Sequence, residues 1–307
     1  MSDITLGLWP IAGITTSGVT RVEAHETIAT AIKCGVRRFD TAFSYGYDGE
    51  SDRLLGEHVR FSRDDFHVTS KVGQRWSDSS GATQKRSRII DGSPKTLIAD
   101  AETSLRRIGI EQLDCLMLHC PDPNVPIEES AEAIRSLQQR GLCVETGVCN
   151  VTPEQRVRFA AVANCDAIQC PLNLVQSDSM QQLIPACQSD GCDVFVFWSL
   201  MKGLLSGRIN RDHVFASDDV RPSYAIFQGN QRERTHRIID ALREIGKQVD
   251  CTVAQLAIGW AMSQPGVTGA LVGARRPEQV LENAVATKLP PDIVALMDDA
   301  ATKHGSD

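Results

Sequence analysis

The sequence predicts an α/β fold, a (β/α)8 TIM barrel, on three observations. Short apolar runs alternate with amphipathic segments along the whole chain. Chemically distinctive residues stand at the C-terminal ends of several of these runs, where barrel sites are built. No GxGxxG follows an early strand, so the usual dinucleotide turn of an open doubly wound sheet is missing. A length of 307 residues suits one such barrel with modest insertions, and we read 1–307 as a single domain without a linker or low-complexity stretch.

The elements follow in order. Leu6–Ile11 is the first apolar run, and the next helix, around Glu23–Lys33, sets Ala24, Ile28, Ala31 and Ile32 on one face. Strand Val36–Asp40 precedes a helix near Ser51–Val59, and strand Phe66–Ser70 comes next. Ser93-Pro94 reads as an N-cap with proline at the first helical position, opening a helix with Leu97, Ala101, Leu105 and Ile108 at helical spacing. Strand Leu113–Leu118, helix Glu128–Gln139 and strand Val144–Val148 continue the alternation. Thr152-Pro153-Glu154-Gln155 has the form of a capping box for the helix after it. Strand Ala167–Cys170, a helix near Asp178–Gln188 and strand Val194–Phe197 follow. Extra helices over Arg232–Val249 and Thr252–Met262 stand before the last strand, Gly269–Val272; Pro277–Ala286 and Pro291–Thr302 close the chain as helices. Two long segments, Gln74–Gly92 and Lys202–Gln231, read as loops on the side where a site would lie.

Composition narrows the function classes. Hydrophobic residues at 42% and charged residues at 23% allow a large core. A net charge of −7 gives no basic footprint for nucleic acid, so any phosphate must be held by a local arrangement. The ten cysteines include no CxxC pair and mostly sit in apolar windows, as small hydrophobes do. We expect reduced thiols in a cytoplasmic protein, no zinc site, and, lacking an apolar run of about 20 residues, no membrane span. With no heptad pattern, a monomer is the default.

The chemistry gathers at strand ends. Arg38-Phe39-Asp40-Thr41-Ala42-Phe43-Ser44-Tyr45-Gly46 places a carboxylate and a phenol where a strand gives way to a loop; Val68–Gly73 ends around Lys71, and Leu113–His119 ends on His119. A phenol beside a Lys and an Asp can donate a proton near neutral pH, although free Tyr titrates at about 10. Each residue alone has an ordinary role: a cap for Asp40, a solvated charge for Lys71, a core imidazole for His119, and Tyr47 competes with Tyr45. Asp, Tyr, Lys and His in this order and wording resemble the aldo-keto reductase superfamily, from Leu6-Gly7 to about Asn283.

The resemblance implies an NADPH-dependent oxidoreductase that reduces aldehyde or ketone carbonyls reversibly by hydride transfer, with NADH possible as the cofactor and no metal. Tyr45 would donate the proton, Lys71 would lower its pKa, Asp40 would hold Lys71, and His119 would orient the carbonyl. Asn150 and Gln169 would hold the nicotinamide amide, with Cys149 replacing a more usual Ser. Within Phe197–Gly207, Trp198 would stack on the nicotinamide, and Ser199 and Gly203 would belong to the phosphate-facing turn, which lacks one proline common in the family. In Val272–Asn283, Gly273 begins a turn, the next helix offers backbone N–H groups, Arg275 and Gln279 would face a 2′-phosphate, and Glu282 and Asn283 the adenine amino group. Trp9, Phe43 and Trp76 would line the substrate mouth; Arg75, Lys85, Arg86 and Arg88 could draw in an anionic substrate. The alternatives are a sugar dehydrogenase working mainly in the oxidative direction and a nucleotide-sensing barrel with little turnover.

Overall fold

The computed structural model describes residues 3–13, 18–77, 86–217 and 219–305. Lys85 therefore lies outside the described residues. The chain runs β1 (Ile4–Gly7), α1 (Arg21–Lys33), β2 (Arg38–Asp40), α2 (Glu50–Val59), β3 (His67–Val72), β4 (Gln74–Trp76), β5 (Arg88–Ile90), α3 (Pro94–Ile108) and β6 (Leu113–Leu118). It continues through α4 (Ile127–Gln139), β7 (Cys143–Cys149), α5 (Pro153–Ala160), β8 (Ala167–Pro171), α6 (Leu183–Ser189) and β9 (Asp193–Phe197). It ends with α7 (Gly229–Val249), α8 (Val253–Ser263), β10 (Gly269–Gly273), α9 (Pro277–Asn283) and α10 (Pro291–Gly305). Eight parallel strands close into a barrel in the order β1-β10-β9-β8-β7-β6-β3-β2. The expected (β/α)8 architecture is present, with α7 and α8 before the last strand and α10 after α9.

Period-two alternation sorts the strand residues into two sets. Phe39, Val68, Leu116, Leu118, Val148, Ile168, Val194 and Val196 face the helices and join the main core. Cys115, Met117, Ala167, Phe195 and Leu271 form a separate small core within the barrel. Below it, the Arg38 guanidinium lies 4.8 Å from the Phe195 ring centroid and hydrogen-bonds His67 at 3.1 Å. One step of two residues upward along the same inward set come Asp40, Lys71, His119, Cys149 and Gln169. The site residues are thus the top layer of the stack whose middle is apolar packing.

Several boundaries differ from expectation for physical reasons. The first strand is Ile4–Gly7, because Pro10 cannot donate to a ladder and Trp9–Ile11 instead forms a 3-10 turn. The segment Gln74–Gly92 is not only loop: Gln74–Trp76 pairs antiparallel with Arg88–Ile90. The expected helix Asp178–Gln188 is broken into a 3-10 turn, Asp178–Met180, and α6. The segment Lys202–Gln231 holds short 3-10 turns at Arg221–Ser223 and Ala225–Phe227, and α7 begins before Arg232. Helix α9 ends at Asn283, short of Ala286. Thr152 and Gln155 form the expected reciprocal cap of α5, and Thr20–Glu23 and Thr252–Gln255 do the same for α1 and α8. Ser93 stands at the N-cap of α3 without a side-chain cap; Asp91 accepts from its N–H at 3.0 Å instead. All ten cysteines are free, and no helix among the described residues is long and apolar enough to cross a membrane.

Gly147 marks the closest approach between β7 and β8: a Cβ there would stand 2.1 Å from the Ala167 carbonyl oxygen. Gly141 has φ 76° but nothing within 4 Å of a Cβ. We expect Gly147→Ala to cost about 3 kcal/mol or more through strand displacement, and Gly141→Ala about 1–2 kcal/mol from backbone strain alone. Urea unfolding of both variants checks this; a smaller loss at Gly147 than at Gly141 would mean that β7 and β8 separate easily.

Candidate active site

The barrel mouth holds an ion pair. Lys71 Nζ donates to Asp40 Oδ1 at 2.5 Å and to the Thr41 carbonyl at 3.0 Å, and Gln169 Nε2 donates to Asp40 Oδ2 at 2.6 Å. Both charged side chains are almost wholly buried, at 2% and 1% exposure, which removes the solvated-lysine reading. Lys71 Nζ lies 4.8 Å from the Tyr45 ring centroid. The Tyr45 ring meets His119 edge-on at 5.8 Å and Trp9 at 5.1 Å. Asp40, Tyr45, Lys71 and His119 are therefore one contact group. Tyr47 is not part of it: its exposed ring packs on Trp76 at 5.1 Å.

Electrostatics set the protonation states. Burial pushes the Tyr45 phenol up to about 12; the Lys71 charge and hydrogen bond pull down, while Asp40 and Cys149 push up. Lys71 lowers the pKa of this phenol as expected, but desolvation is larger and the net shift is upward. Burial also works against the Lys71 charge, yet Asp40, Tyr45 and Cys149 outweigh it and hold the ammonium above its ordinary range. Burial, then the charges of Lys71 and Arg88, drive His119 well below the usual imidazole value. Near neutral pH the site presents a neutral phenol, an ammonium and a neutral imidazole.

Unused polar atoms stand on the neighbouring strand ends. Gln169 Oε1 and Ser199 Oγ are buried without hydrogen-bond partners among the described residues. Asn150, left-handed at φ 57°, donates from Nδ2 to the His119 carbonyl at 3.0 Å and to Cys149 Sγ at 3.1 Å. Trp198 is 39% exposed at the end of β9, with the Phe197 ring edge-on at 5.2 Å. These unused polar atoms suit a carboxamide, and the partly exposed Trp198 ring carries the Lys202 ammonium 3.7 Å from its centroid. Trp198, Met201 and Lys202 all take positive φ, at 61°, 42° and 54°. Left-handed conformations at non-glycine residues cost about 1–2 kcal/mol each.

The second cofactor segment departs in part from expectation. Arg275 N donates to Gln279 Oε1 at 2.8 Å, so Gln279 is occupied with this turn and one backbone N–H is taken. Helix α9 has only 7 residues. Burial and the neighbouring charges of Arg221 and Arg276 lower the Arg275 pKa, marking a cationic corner. Arg221 is held bidentately by Asp219 and would stand 3.6 Å from a Cβ on Gly203, so it joins this corner to the Gly203 turn. Glu282 pairs with Arg208 at 2.5 Å, and Asn283 is buried beside a small apolar cavity lined by Leu6, Val36 and Val280. Gly273 approaches Pro10, whose ring would lie 2.6 Å from an added Cβ.

Of the expected mouth residues, Trp9 and Trp76 stand together around Arg88, at 4.7 and 5.4 Å from its guanidinium carbon, but Phe43 does not join them. Its ring is gripped by Arg107 at 4.6 Å and Arg75 at 5.3 Å, and both cations reach down to buried carboxylates, Asp52 and Asp100.

The sequence model of the aldo/keto reductase family matches residues 3–302. The chain belongs to the aldo-keto reductases. It is 31% identical to the aldo-keto reductase YhdN of Bacillus subtilis (strain 168) over 283 residues, 91% of this chain and 83% of that protein. It is 29% identical to the NADH-specific methylglyoxal reductase of Escherichia coli (strain K12), covering 94% of this chain and 90% of that one. The solved glycerol dehydrogenase AKR11B4 from Gluconobacter oxydans superposes with a TM-score of 0.90 at 30% identity, covering 100% of this chain and 94% of the other. This aldo-keto reductase is thus an oxidoreductase that reduces carbonyls or oxidises alcohols with a nicotinamide cofactor.

Sequence reasoning missed how the reductase ties down its tyrosine loop. Thr41 Oγ1 donates to Asp52 Oδ1 at 2.8 Å, while the Thr41 carbonyl accepts from Lys71; Arg107 donates to the Phe43 carbonyl at 3.2 Å. Asp52 on α2 reads in sequence as an ordinary acid of a first helical turn, and only tertiary placement makes it buried. Burial pushes its carboxyl up to about 6, against hydrogen bonds from Thr41 and Ser104 and the charges of Arg107 and Arg53. Between the ordinary Asp value of 3.8 and about 6 the folded state binds a proton that the unfolded state has released. Stability therefore falls as pH rises through this window, by on the order of 3 kcal/mol. We expect Asp52→Asn to gain on the wild type by about 1–3 kcal/mol between pH 4 and pH 7.5 in urea unfolding. A difference independent of pH would place this titration elsewhere.

Proposed function

We propose that this aldo-keto reductase works chiefly as an NADPH-dependent carbonyl reductase, with Tyr45 as the proton donor. The observation that carries the reading is the buried Asp40–Lys71 pair set against Tyr45, with His119 on the other side of the phenol. The bound cofactor would supply a hydride to the carbonyl carbon. As negative charge grows on the carbonyl oxygen, Tyr45 delivers its proton there, and Lys71 stabilises the phenolate left behind. Asp40 keeps Lys71 charged and fixed, and Gln169 fixes Asp40 while leaving Oε1 for the carboxamide. His119, kept neutral, orients the carbonyl oxygen toward the phenol. A phenol pushed up to about 12 stands protonated at neutral pH, the form a proton donor needs. The complete four-residue group weighs against a sensor with little turnover.

For the cofactor, Arg275 favours NADPH. It is a half-buried guanidinium flanked by two more arginines, and a 2′-phosphate would offset that repulsion. Ser199 and Gly203 would line the nicotinamide and phosphate path, and Trp198 would cover the nicotinamide ring.

Two measurements test the reading. We expect Tyr45→Phe to lower kcat by about 100-fold or more while NADPH affinity changes less than about twofold; retained turnover would move the proton donor to another group. In fluorescence titrations, Arg275→Ala should weaken NADPH about tenfold or more and NADH hardly at all. Equal losses would remove Arg275 from the 2′-phosphate.

A further inference from the structure

Two cations at the mouth have no work in the scheme above. Arg88, on β5, lays its guanidinium over Trp9 and Trp76, at 4.7 and 5.4 Å from the ring centroids. Lys202, in the strained turn after β9, points its ammonium at Trp198, 3.7 Å from the ring centroid, and at Tyr224, 4.2 Å away. Most neighbouring arginines are matched: Arg75 by Asp100, Arg86 by Asp48, Arg107 by Asp52, Arg221 by Asp219. Arg88 and Lys202 make no ion pair with any carboxylate among the described residues. Their charges are close enough to matter to each other: burial, then Arg88, brings Lys202 down to about 8. Arg88 also bears on His119, and Trp9, on which it lies, touches Tyr45 at 5.1 Å.

Two like charges, each lying on aromatic rings, repel one another, and no carboxylate among the described residues pairs with either. An anion between them would remove the repulsion and gain charge-assisted hydrogen bonds from a guanidinium suited to a phosphate or carboxylate. Aromatic faces hold both cations in place by cation–π attraction, leaving their polar edges free.

We infer that the substrate is a short-chain carbonyl compound bearing a phosphate or carboxylate, with that anionic group held by Arg88 and Lys202 while Tyr45 and His119 face the carbonyl. This rests on the carbonyl-reductase reading and names its substrate class. The pairing is a specificity device: a neutral aldehyde would reach Tyr45 but leave the two charges unpaired.

The test compares kcat/KM for glyceraldehyde 3-phosphate with glyceraldehyde, and for succinate semialdehyde with butanal, in wild type, Arg88→Gln and Lys202→Met. We expect the wild type to prefer at least one anionic member by tenfold or more, the preferred pair separating phosphate from carboxylate. Each variant should reduce that preference at least fivefold, chiefly through KM, with NADPH affinity at Arg88→Gln within twofold of wild type. Equal kcat/KM within both pairs, or a preference untouched in both variants, would overturn the inference. Calorimetric titration of the NADPH complex with glycerol 3-phosphate and with 3-hydroxypropanoate needs no turnover. Anion binding lost in Arg88→Gln without turnover of any substrate would uphold the anion site and sink the reductase reading. Turnover without anion preference would do the reverse.

Discussion

A buried ammonium–carboxylate pair is the constraint around which this barrel mouth is organised. Asp40 and Lys71 are both out of water, and removing either partner would leave a lone charge at a cost of about 3–5 kcal/mol. Such a pair persists only if its remaining valences are met. The Thr41 carbonyl and the Gln169 amide meet them, so β2, β3 and β8 are held in register by polar bonds as well as by ladder pairing. The same arrangement leaves Gln169 Oε1 without a partner among the described residues.

Support for the pair extends outward through a second set of charges. Thr41 links Lys71 to Asp52, Asp52 sits by Arg107, and Arg107 with Arg75 clamps the Phe43 ring two residues before Tyr45. Helices α2 and α3 thereby reach the tyrosine loop through polar contacts that are themselves buried. The loop is positioned by electrostatics from behind and by Trp9 and His119 from the front.

Much of this was legible in the sequence, for identifiable reasons. The eight barrel strands were readable because each is a short apolar run bounded by turn chemistry, and the contact group at the mouth because Asp40, Lys71 and His119 stand at strand ends. The hairpin β4–β5 was hidden because Gln74-Arg75-Trp76 carries little apolar alternation and pairs with residues about a dozen positions away. The surroundings of Phe43 were hidden for a related reason: an aromatic in a loop reads as a mouth residue, and only the fold shows two guanidiniums on its ring. The direction of the Tyr45 shift was also beyond reach, since neighbours can be guessed from motifs but the depth of burial cannot. Arg221 and Lys202 sit in a long polar stretch where a single basic residue carries no local signal.

The left-handed turn after β9 has a consequence of a different kind. Trp198, Met201 and Lys202 are aimed by left-handed backbone, so the orientation of the ring and the ammonium is written into chain length. Substituting one side chain nearby leaves that geometry standing. Inserting one residue would relax the backbone and let both groups swing, which makes this turn a place where evolution could trade a rigid cofactor-facing wall for a mobile one by a three-nucleotide change.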